Sequence, residues 1–250
     1  MNRFFLNKEI NKDEQIIIEG DNFHHCIIVL KHKVGDNILV FDKKEDEFLC
    51  KIIGIKKESM MIQTQYLRPK KTVNEPDINV YQSIPKGKTI ENIIEKSVEL
   101  GVKEFIPIIS SRTIKKSLEV KERWLEIVKT ATKQCGRNDI MKIHEPLQYS
   151  DIFKKNNTGL KIIFYENSKN KINHQILEPN KNISLIIGPE GGFTNEEIIL
   201  ANNNGFIDMS LGNTVLKSNT ALILGVGLSL IHISEPTRRT PISYAVFCLK

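Results

Sequence analysis

The residues best suited to chemistry lie in a glycine-rich turn, Gly188-Pro189-Glu190-Gly191-Gly192, in the C-terminal half of this 250-residue chain. The turn follows the apolar run Ile183–Ile187 and precedes Thr194-x-x-Glu197, a capping box that predicts the start of a helix. Glycines here let backbone N–H and C=O groups approach a ligand without a Cβ in the way. A ligand beyond the carboxyl ends of the strands is the expected placement in an α/β sheet. The spacing matches neither G-x-G-x-x-G nor a Walker loop, so an ordinary tight strand-to-helix turn remains the alternative.

A second turn, Leu211-Gly212-Asn213-Thr214, again follows an apolar run and leads into Val215-Leu216-Lys217-Ser218-Asn219-Thr220-Ala221. Two glycine-bearing turns therefore sit at predicted strand ends about twenty residues apart. Their pairing favours a ligand site over two unrelated turns.

Basic residues are concentrated in one part of the chain. Residues 103–142 contain ten Lys/Arg and five Asp/Glu, a difference of +5 against a net charge of +6 for the whole chain. Such a segment is the electrostatic footprint expected of a phosphate-backbone partner, although a solvated helix face would look the same. Basic residues proposed to contact phosphates are Lys31, His32, Lys33, Arg112, Lys115 and Lys116.

The pattern of apolar residues predicts two domains. In residues 1–70, short β-branched runs separated by Gly-Asp and charged turns predict a small β-barrel. Residues 68–76 contain two prolines and read as a linker. Residues 77–230 alternate strand and helix patterns, which predicts an α/β domain with a mainly parallel sheet. The helix at 219–230 is apolar nearly all round, so it should lie in a core or a subunit interface.

The composition predicts a cytoplasmic protein without a metal site. No run of about 18 apolar residues exists, and the N-terminus lacks the pattern of a signal peptide. The four cysteines have no Cys-x-x-Cys spacing, which indicates reduced structural thiols.

The two turns together resemble the signature of the SPOUT methyltransferases, in the form Gly188-Pro189-Glu190-Gly191-Gly192 followed by Leu211-Gly212-x-x-Val215-Leu216-Lys217-x-x-Thr220-Ala221. Within that class the chain is similar to the bacterial (RsmE-like) family that methylates N3 of a uridine in small-subunit ribosomal RNA. The likeness spans nearly the whole chain. Its further landmarks are Arg3-Phe4-Phe5, His24-His25, Val29-Leu30-Lys31, Val34-Gly35-Asp36, Pro85-Lys86-Gly87, Glu99-Leu100-Gly101-Val102 and Gln134-Cys135-Gly136-Arg137.

The resemblance implies a PUA-like RNA-binding barrel at 1–70 and a SPOUT domain with a trefoil knot at 77–230. It also implies a homodimer and S-adenosylmethionine held in the knot loops. The positions that match the cofactor loops are Gly188, Glu190, Gly191, Gly192, Leu211, Gly212, Val215, Leu216 and Ala221.

Methyl transfer to a uracil imide nitrogen needs the N3 proton removed or the resulting anion stabilised. Lys217, in the second turn, and Arg137, in the basic segment, are the candidates for this role. Glu190 could bind the cofactor or the base, or cap the following helix. No metal is needed for this chemistry.

The chain departs from the family pattern in two places. Asn219 stands where an acidic residue is usual, and Lys217 where arginine is usual. Residues 231–250 carry two prolines in a place where the family continues its last helix, so we treat them as a non-native tail.

Three other functions remain open. The chain could be a catalytically silent RNA-binding relative, or a SPOUT enzyme that acts on another RNA such as a transfer RNA. It could also be a nucleotide-binding metabolic enzyme, although that would leave the barrel and the basic segment unexplained.

Overall fold

Two β-sheets, each with its own apolar core, organise the part of the chain that the structure describes. The computed structural model describes residues 2–44, 46–68, 77–87, 89–114, 119–137, 139–154, 159–170 and 182–234, with side chains as far as residue 230. Residues 69–76 of the expected linker and residues 235–250 of the expected tail lie outside these ranges. The domain boundaries therefore stay predictions.

The N-terminal sheet has five strands in the order β1-β3-β4-β5-β2. Its strands are β1 (Arg3–Phe5), β2 (Gln15–Glu19), β3 (Asn37–Phe41), β4 (Glu47–Ile55) and β5 (Ser59–Arg68). β1 pairs in parallel with β3, and the other pairs are antiparallel. In β2 the side chains of Ile16 and Ile18 are buried while Ile17 is exposed, which is the alternation of a strand with one face on a core. Four of these strands were predicted; β1 was not.

One connection in this domain differs from the prediction. Gly20-Asp21 was read as a simple turn, but the chain forms a short helix α1 (Gly20–Phe23) that continues as one π-helical turn, His24–Val29. Phe23 and Cys26, three residues apart, both enter the barrel core, while Ile28 and Val29 stay exposed. Burial of that helical face outweighs the β propensity of the apolar run.

The second sheet is parallel throughout, in the order β12-β10-β11-β6-β7-β8, with β9 also pairing with β7. Its strands are β6 (Ile78–Ser83), β7 (Glu104–Ile109), β8 (Lys142–Ile143), β9 (Leu147–Gln148), β10 (Leu160–Phe164), β11 (Ile183–Ile187) and β12 (Ile207–Met209). All five residues of β11 are buried, as expected of a strand covered on both faces.

Helices cover both faces of this sheet. They are α2 (Thr89–Glu99), α3 (Glu122–Cys135), α4 (Asn195–Asn203), α5 (Ser218–Ser234) and a 3₁₀ turn, Tyr149–Lys154. Leu185 packs into the cluster with α2, α3 and α5, whereas its neighbour Ile186 packs into the cluster with α4 and the 3₁₀ turn. α5 passes so close to β10 that a Cβ on Gly225 would lie 2.4 Å from the Phe164 ring. Among the described residues, no helix is both long and apolar enough to cross a membrane.

Candidate active site

A pocket opens at the carboxyl ends of three neighbouring strands, β12, β10 and β11. The turns predicted from the sequence follow β11 and β12, and β10 lies between those strands. Eight of the nine predicted cofactor residues line it; Gly212 does not. The lining residues are Phe164, Tyr165, Glu166, Ile187, Gly188, Pro189, Glu190, Gly191, Gly192, Phe193, Ser210, Leu211, Thr214, Val215, Leu216, Ser218 and Ala221.

The first turn ends at a position whose backbone conformation favours glycine. Gly192 has φ +68°, and a Cβ there would lie 2.7 Å from Oε1 of Glu166. Its N–H donates to the Pro189 carbonyl at 3.0 Å, which closes the turn. A Cβ on Gly188 would lie 3.1 Å from the Phe193 ring. The absence of side chains at these positions keeps the pocket open and exposes backbone polar groups to a ligand.

The second turn is closed by the side chain of Ser210. The hydroxyl of Ser210 donates to the Gly212 carbonyl at 2.8 Å, and the Gly212 N–H donates back to that oxygen at 3.3 Å. Gly212 therefore shapes the turn from outside the pocket. Val215 lines the pocket but is 81% exposed, so most of this apolar side chain is in contact with solvent.

The third wall of the pocket was not predicted from the sequence. Phe164, Tyr165 and Glu166 follow β10 directly and complete the pocket between the two glycine turns. The carboxyl end of β10 had to lie near the other two strand ends once the strand order was known. That order, β12-β10-β11, does not follow the chain and was not predicted.

Neighbouring loops hold the first turn in place. The Lys86 N–H donates to Oε1 of Glu190 at 3.0 Å, and Nη1 of Arg112 donates to the Gly191 carbonyl at 2.6 Å. The predicted capping box is present: Thr194 and Glu197 exchange hydrogen bonds at the start of α4. The buried Glu197 carboxylate also accepts from the Ser111 N–H at 2.8 Å. The position of the turn is therefore fixed before any ligand binds.

The charge of the lining suits a cationic ligand. Glu166 and Glu190 both line the pocket, and the described residues that line it include no lysine or arginine. The remaining walls are mostly apolar side chains and glycine backbone. S-adenosylmethionine, with one net positive charge, a methyl sulfonium and an adenine ring, fits this lining.

The two candidate catalytic cations have different surroundings. Lys217 is exposed beside the pocket, between the lining residues Leu216 and Ser218, and its carbonyl accepts the first hydrogen bond of α5 from Ala221. Arg137 is not among the lining residues. Its guanidinium is paired with Asp139 and donates to the Val98 and Val102 carbonyls at 2.9 Å each. These bonds favour a structural role for Arg137.

The predicted RNA-contacting residues form separate groups. Lys31 and Lys33 are exposed on the barrel, while the ring of His32 is held by Asp36 at 3.0 Å and by Asn2 at 2.9 Å. The Lys33 N–H and the His32 ring lower the pKa of Asp36, so its carboxylate stays charged and braces this loop. Arg112 already bonds the cofactor turn. Lys115 and Lys116 lie outside the described residues.

Asn219, the residue that departs from the family pattern, turns back onto its own helix. Its Oδ1 accepts from the Thr220 N–H at 2.9 Å. Asn219 is absent from the pocket lining. The substitution therefore leaves the walls of the pocket unchanged.

Similarity to known proteins covers both domains. The RNA methyltransferase domain family matches residues 73–229, and the RNA methyltransferase PUA domain family matches residues 18–63. A crystal structure of a ribosomal RNA small subunit methyltransferase E from Neisseria gonorrhoeae, bound to S-adenosyl methionine, is 29% identical. It superposes with a TM-score of 0.82 over 91% of this chain and 96% of that one. The predicted fold class, a PUA-like barrel followed by an α/β SPOUT-type domain, is confirmed.

Full-length relatives carry the same name. The ribosomal RNA small subunit methyltransferase E of Mesomycoplasma hyopneumoniae is 34% identical over 230 residues, or 89% of this chain and 96% of the relative. That of Buchnera aphidicola subsp. Acyrthosiphon pisum is 32% identical over 232 residues, 90% of either chain. The chain therefore belongs to the ribosomal RNA small subunit methyltransferase E family of RNA methyltransferases.

Proposed function

We propose that the protein transfers the methyl group of S-adenosylmethionine to N3 of a uridine in small-subunit (16S) ribosomal RNA. The observation that carries this proposal is the pocket formed by the three strand ends, whose lining of acidic, apolar and glycine residues suits the charge and the apolar groups of the cofactor. A ribosomal substrate would also place the protein in the cytoplasm, as the sequence predicts.

When bound, S-adenosylmethionine supplies an electrophilic methyl group on a sulfonium. The glycine turns position it, and the apolar walls exclude water from the reacting centre. Lys217 stands beside the pocket, where its ammonium would stabilise the negative charge that develops on the uracil as the N3 proton leaves. Arg137 remains the alternative candidate for this charge.

The decisive measurement is methylation of undermethylated small ribosomal subunits with labelled S-adenosylmethionine, followed by identification of the modified nucleoside. We expect label in N3-methyluridine. If the subunits stay unlabelled and transfer RNA, offered in a parallel reaction, takes up the label, the other SPOUT activity is favoured. Absence of both label and cofactor binding would favour the silent RNA-binding relative.

Lys217→Ala tests the proposed role of the ammonium group. Turnover should fall at least about tenfold while cofactor affinity is kept, because the charge is needed only in the transition state. Lys154→Ala, at a lysine whose side chain is 78% exposed, is the matched control and should leave turnover unchanged. Equal turnover in all three proteins would remove Lys217 from the chemistry.

Lys31 and Lys33 are proposed to hold RNA phosphates. The double variant Lys31→Gln, Lys33→Gln should weaken RNA binding and reduce the slope of log affinity against log salt by about one to two. Lys56→Gln, Lys57→Gln changes two other exposed barrel lysines and serves as the control. An unchanged slope in the first variant would contradict the assignment.

The proposed homodimer rests on α5. Leu222 and Val226 face the core, but Ile223 on the same helix is 41% exposed. Ile223→Asp should therefore shift the protein to monomer in sedimentation experiments, because an apolar contact would be replaced by a charge. Ile199→Asp, at a 59% exposed position on α4, should leave the assembly state unchanged.

A further inference from the structure

A fully buried glutamine lies directly beneath the pocket. Gln82, near the end of β6, is 0% exposed and pairs in register with Ile187, the last residue of β11. It does not line the pocket. The mechanism above does not use it, although burial of a primary amide is costly unless its polar atoms are bonded.

The amide begins a chain of hydrogen bonds that joins both ligand-binding turns. Nε2 of Gln82 donates to the Ser83 carbonyl at 2.8 Å and to the Ser218 hydroxyl at 2.8 Å. The Ser218 hydroxyl then donates to the Gly188 carbonyl at 2.8 Å. A backbone carbonyl can only accept, so the bond to Ser83 fixes which end of the amide is nitrogen.

Two members of this chain, Ser218 and Gly188, belong to the pocket. Gly188 opens the turn after β11, and Ser218 begins α5 directly after the second turn. Both residues line the pocket. The Gln82–Ser218–Gly188 chain is therefore a cross-link between the two turns that is anchored in a third strand.

We propose that Gln82 is a positioning residue for the cofactor: through Ser218 it holds the Gly188 carbonyl, so that both glycine turns are in register before S-adenosylmethionine binds. This inference rests on the proposed function, because it assumes that the pocket binds this cofactor. A rigid binding site has less conformational freedom to lose on binding, which raises affinity.

The other end of the amide argues against a role in stability alone. Oε1 of Gln82 is buried and has no hydrogen-bond partner among the described residues. An unbonded buried acceptor opposes folding, so an apolar side chain of the same size would remove that penalty. Gln82 therefore fits the geometry of the two turns better than it fits a purely stabilising role.

The test is cofactor binding by isothermal titration calorimetry with Gln82→Met, Ser218→Ala and the double variant. Each single variant should raise the Kd for S-adenosylmethionine roughly five- to tenfold, since each breaks the Gln82–Ser218 hydrogen bond on which the link to Gly188 depends. The Kd of the double variant should be about equal to that of the weaker-binding single variant, because both changes break the same chain of hydrogen bonds. Ser97→Ala is the matched control: its buried hydroxyl also donates to a carbonyl at 2.8 Å, but within α2.

A role in folding alone would give a different pattern. It would lower the number of binding sites per chain and the kcat, with Kd and KM unchanged. Positioning instead raises Kd and KM for S-adenosylmethionine, with stoichiometry and saturated kcat kept within about twofold of the unsubstituted protein. A Kd within about twofold of the original in Ser218→Ala, or multiplying effects in the double variant, would overturn the proposal. If the unsubstituted protein bound no S-adenosylmethionine, the proposed function itself would fail instead.

Discussion

Single residues determine whether the pocket can form, and Gly192 is the clearest case. Its positive φ strains any side chain, and a Cβ would lie 2.7 Å from the Glu166 carboxylate, which would have to shift. Gly205 has a similar φ of +83°, but the nearest atom to its Cβ would be 3.9 Å away and it does not line the pocket. Alanine would be strained by the positive φ at either position, but only at Gly192 would it also disturb the ligand site.

Gly192→Ala and Gly205→Ala should therefore both lose about 1 kcal/mol of unfolding free energy from strain at positive φ. Only Gly192→Ala should also lose cofactor affinity, by at least about tenfold, because the added carbon displaces either the turn or the Glu166 carboxylate, and both line the pocket. Chemical denaturation and calorimetric titration separate the two effects. Equal cofactor affinity in the two variants would show that the turn tolerates the added carbon.

Two cysteines behave as buried apolar residues. Burial raises the pKa of Cys26 to about 11 and that of Cys50 to about 12. The thiolate is the reactive form, so both thiols should resist alkylation at pH 8 in the folded protein and react in urea. Among the three cysteines of the described residues, Cys135, which is only half-buried, should react first. Peptide mass spectrometry would show the order, and early labelling of Cys50 would contradict it.

The raised pKa values of Cys26 and Cys50 also predict how the stability of the protein depends on pH. The folded pKa of each thiol lies above the unfolded value of about 8.5. The contribution of these thiols to the free energy of unfolding is therefore complete below about pH 8.5. It is lost as the pH rises towards their pKa values in the folded protein. Cys50→Ser should flatten the alkaline limb of the stability curve.

At the scale of elements, periodicity predicted what lies along the chain and missed what depends on distant partners. The capping box and the buried strand β11 were both visible as local patterns. β1 was not, because three residues carry no period and it pairs with β3 more than thirty residues away. The wall after β10 was missed because it depends on strand order, which local sequence does not encode.

Arg137, a catalytic candidate in the sequence, is bonded to the end of a helix in the structure. Its side chain caps the carboxyl end of α2 through the carbonyls of Val98 and Val102. Burial raises the pKa of Asp139, but the hydrogen bond and the charge of Arg137 lower it by a larger amount. The pKa is therefore below its usual value. This pair should contribute stability above pH about 4 and lose that contribution as the pH falls through the lowered pKa.

Arg137→Lys keeps the charge but loses the planar fork that reaches both carbonyls and the carboxylate. We expect a loss of about 1–3 kcal/mol of stability, since the Val98 and Val102 carbonyls both lose a charged donor and, among the described residues, the Val98 carbonyl keeps only the Gly101 N–H. The kcat of the folded enzyme should stay within about twofold. A tenfold fall in kcat with unchanged stability would restore Arg137 to the catalytic role predicted from the sequence.

For the whole molecule, the relation between barrel and methyltransferase domain depends on a few polar contacts. Arg3 in β1 bonds the buried Glu47 of the barrel at 2.6 Å and donates to the Arg137 carbonyl at 3.1 Å. Lys133 in α3 donates to Asn22 of α1 at 3.0 Å. The sequence predicted both domains, but their docking depends on side chains more than a hundred positions apart, which no local pattern reveals.

Arg3→Ala should loosen this docking without changing the pocket. Glu47 would keep Arg68 as a partner at 2.9 Å, whereas the contact to Arg137 would be lost entirely. If the barrel grips RNA while the other domain holds the cofactor, the KM for ribosomal subunits should rise at least about fivefold, because the two sites must act on one RNA. The Kd for S-adenosylmethionine should stay unchanged. Arg68→Ala is the matched control: it also removes one partner of Glu47, yet Arg68 is 46% exposed and its bond to Glu47 stays within the barrel. Equal KM values for Arg3→Ala and Arg68→Ala would show that the strength of the barrel, and not its docking, sets RNA affinity.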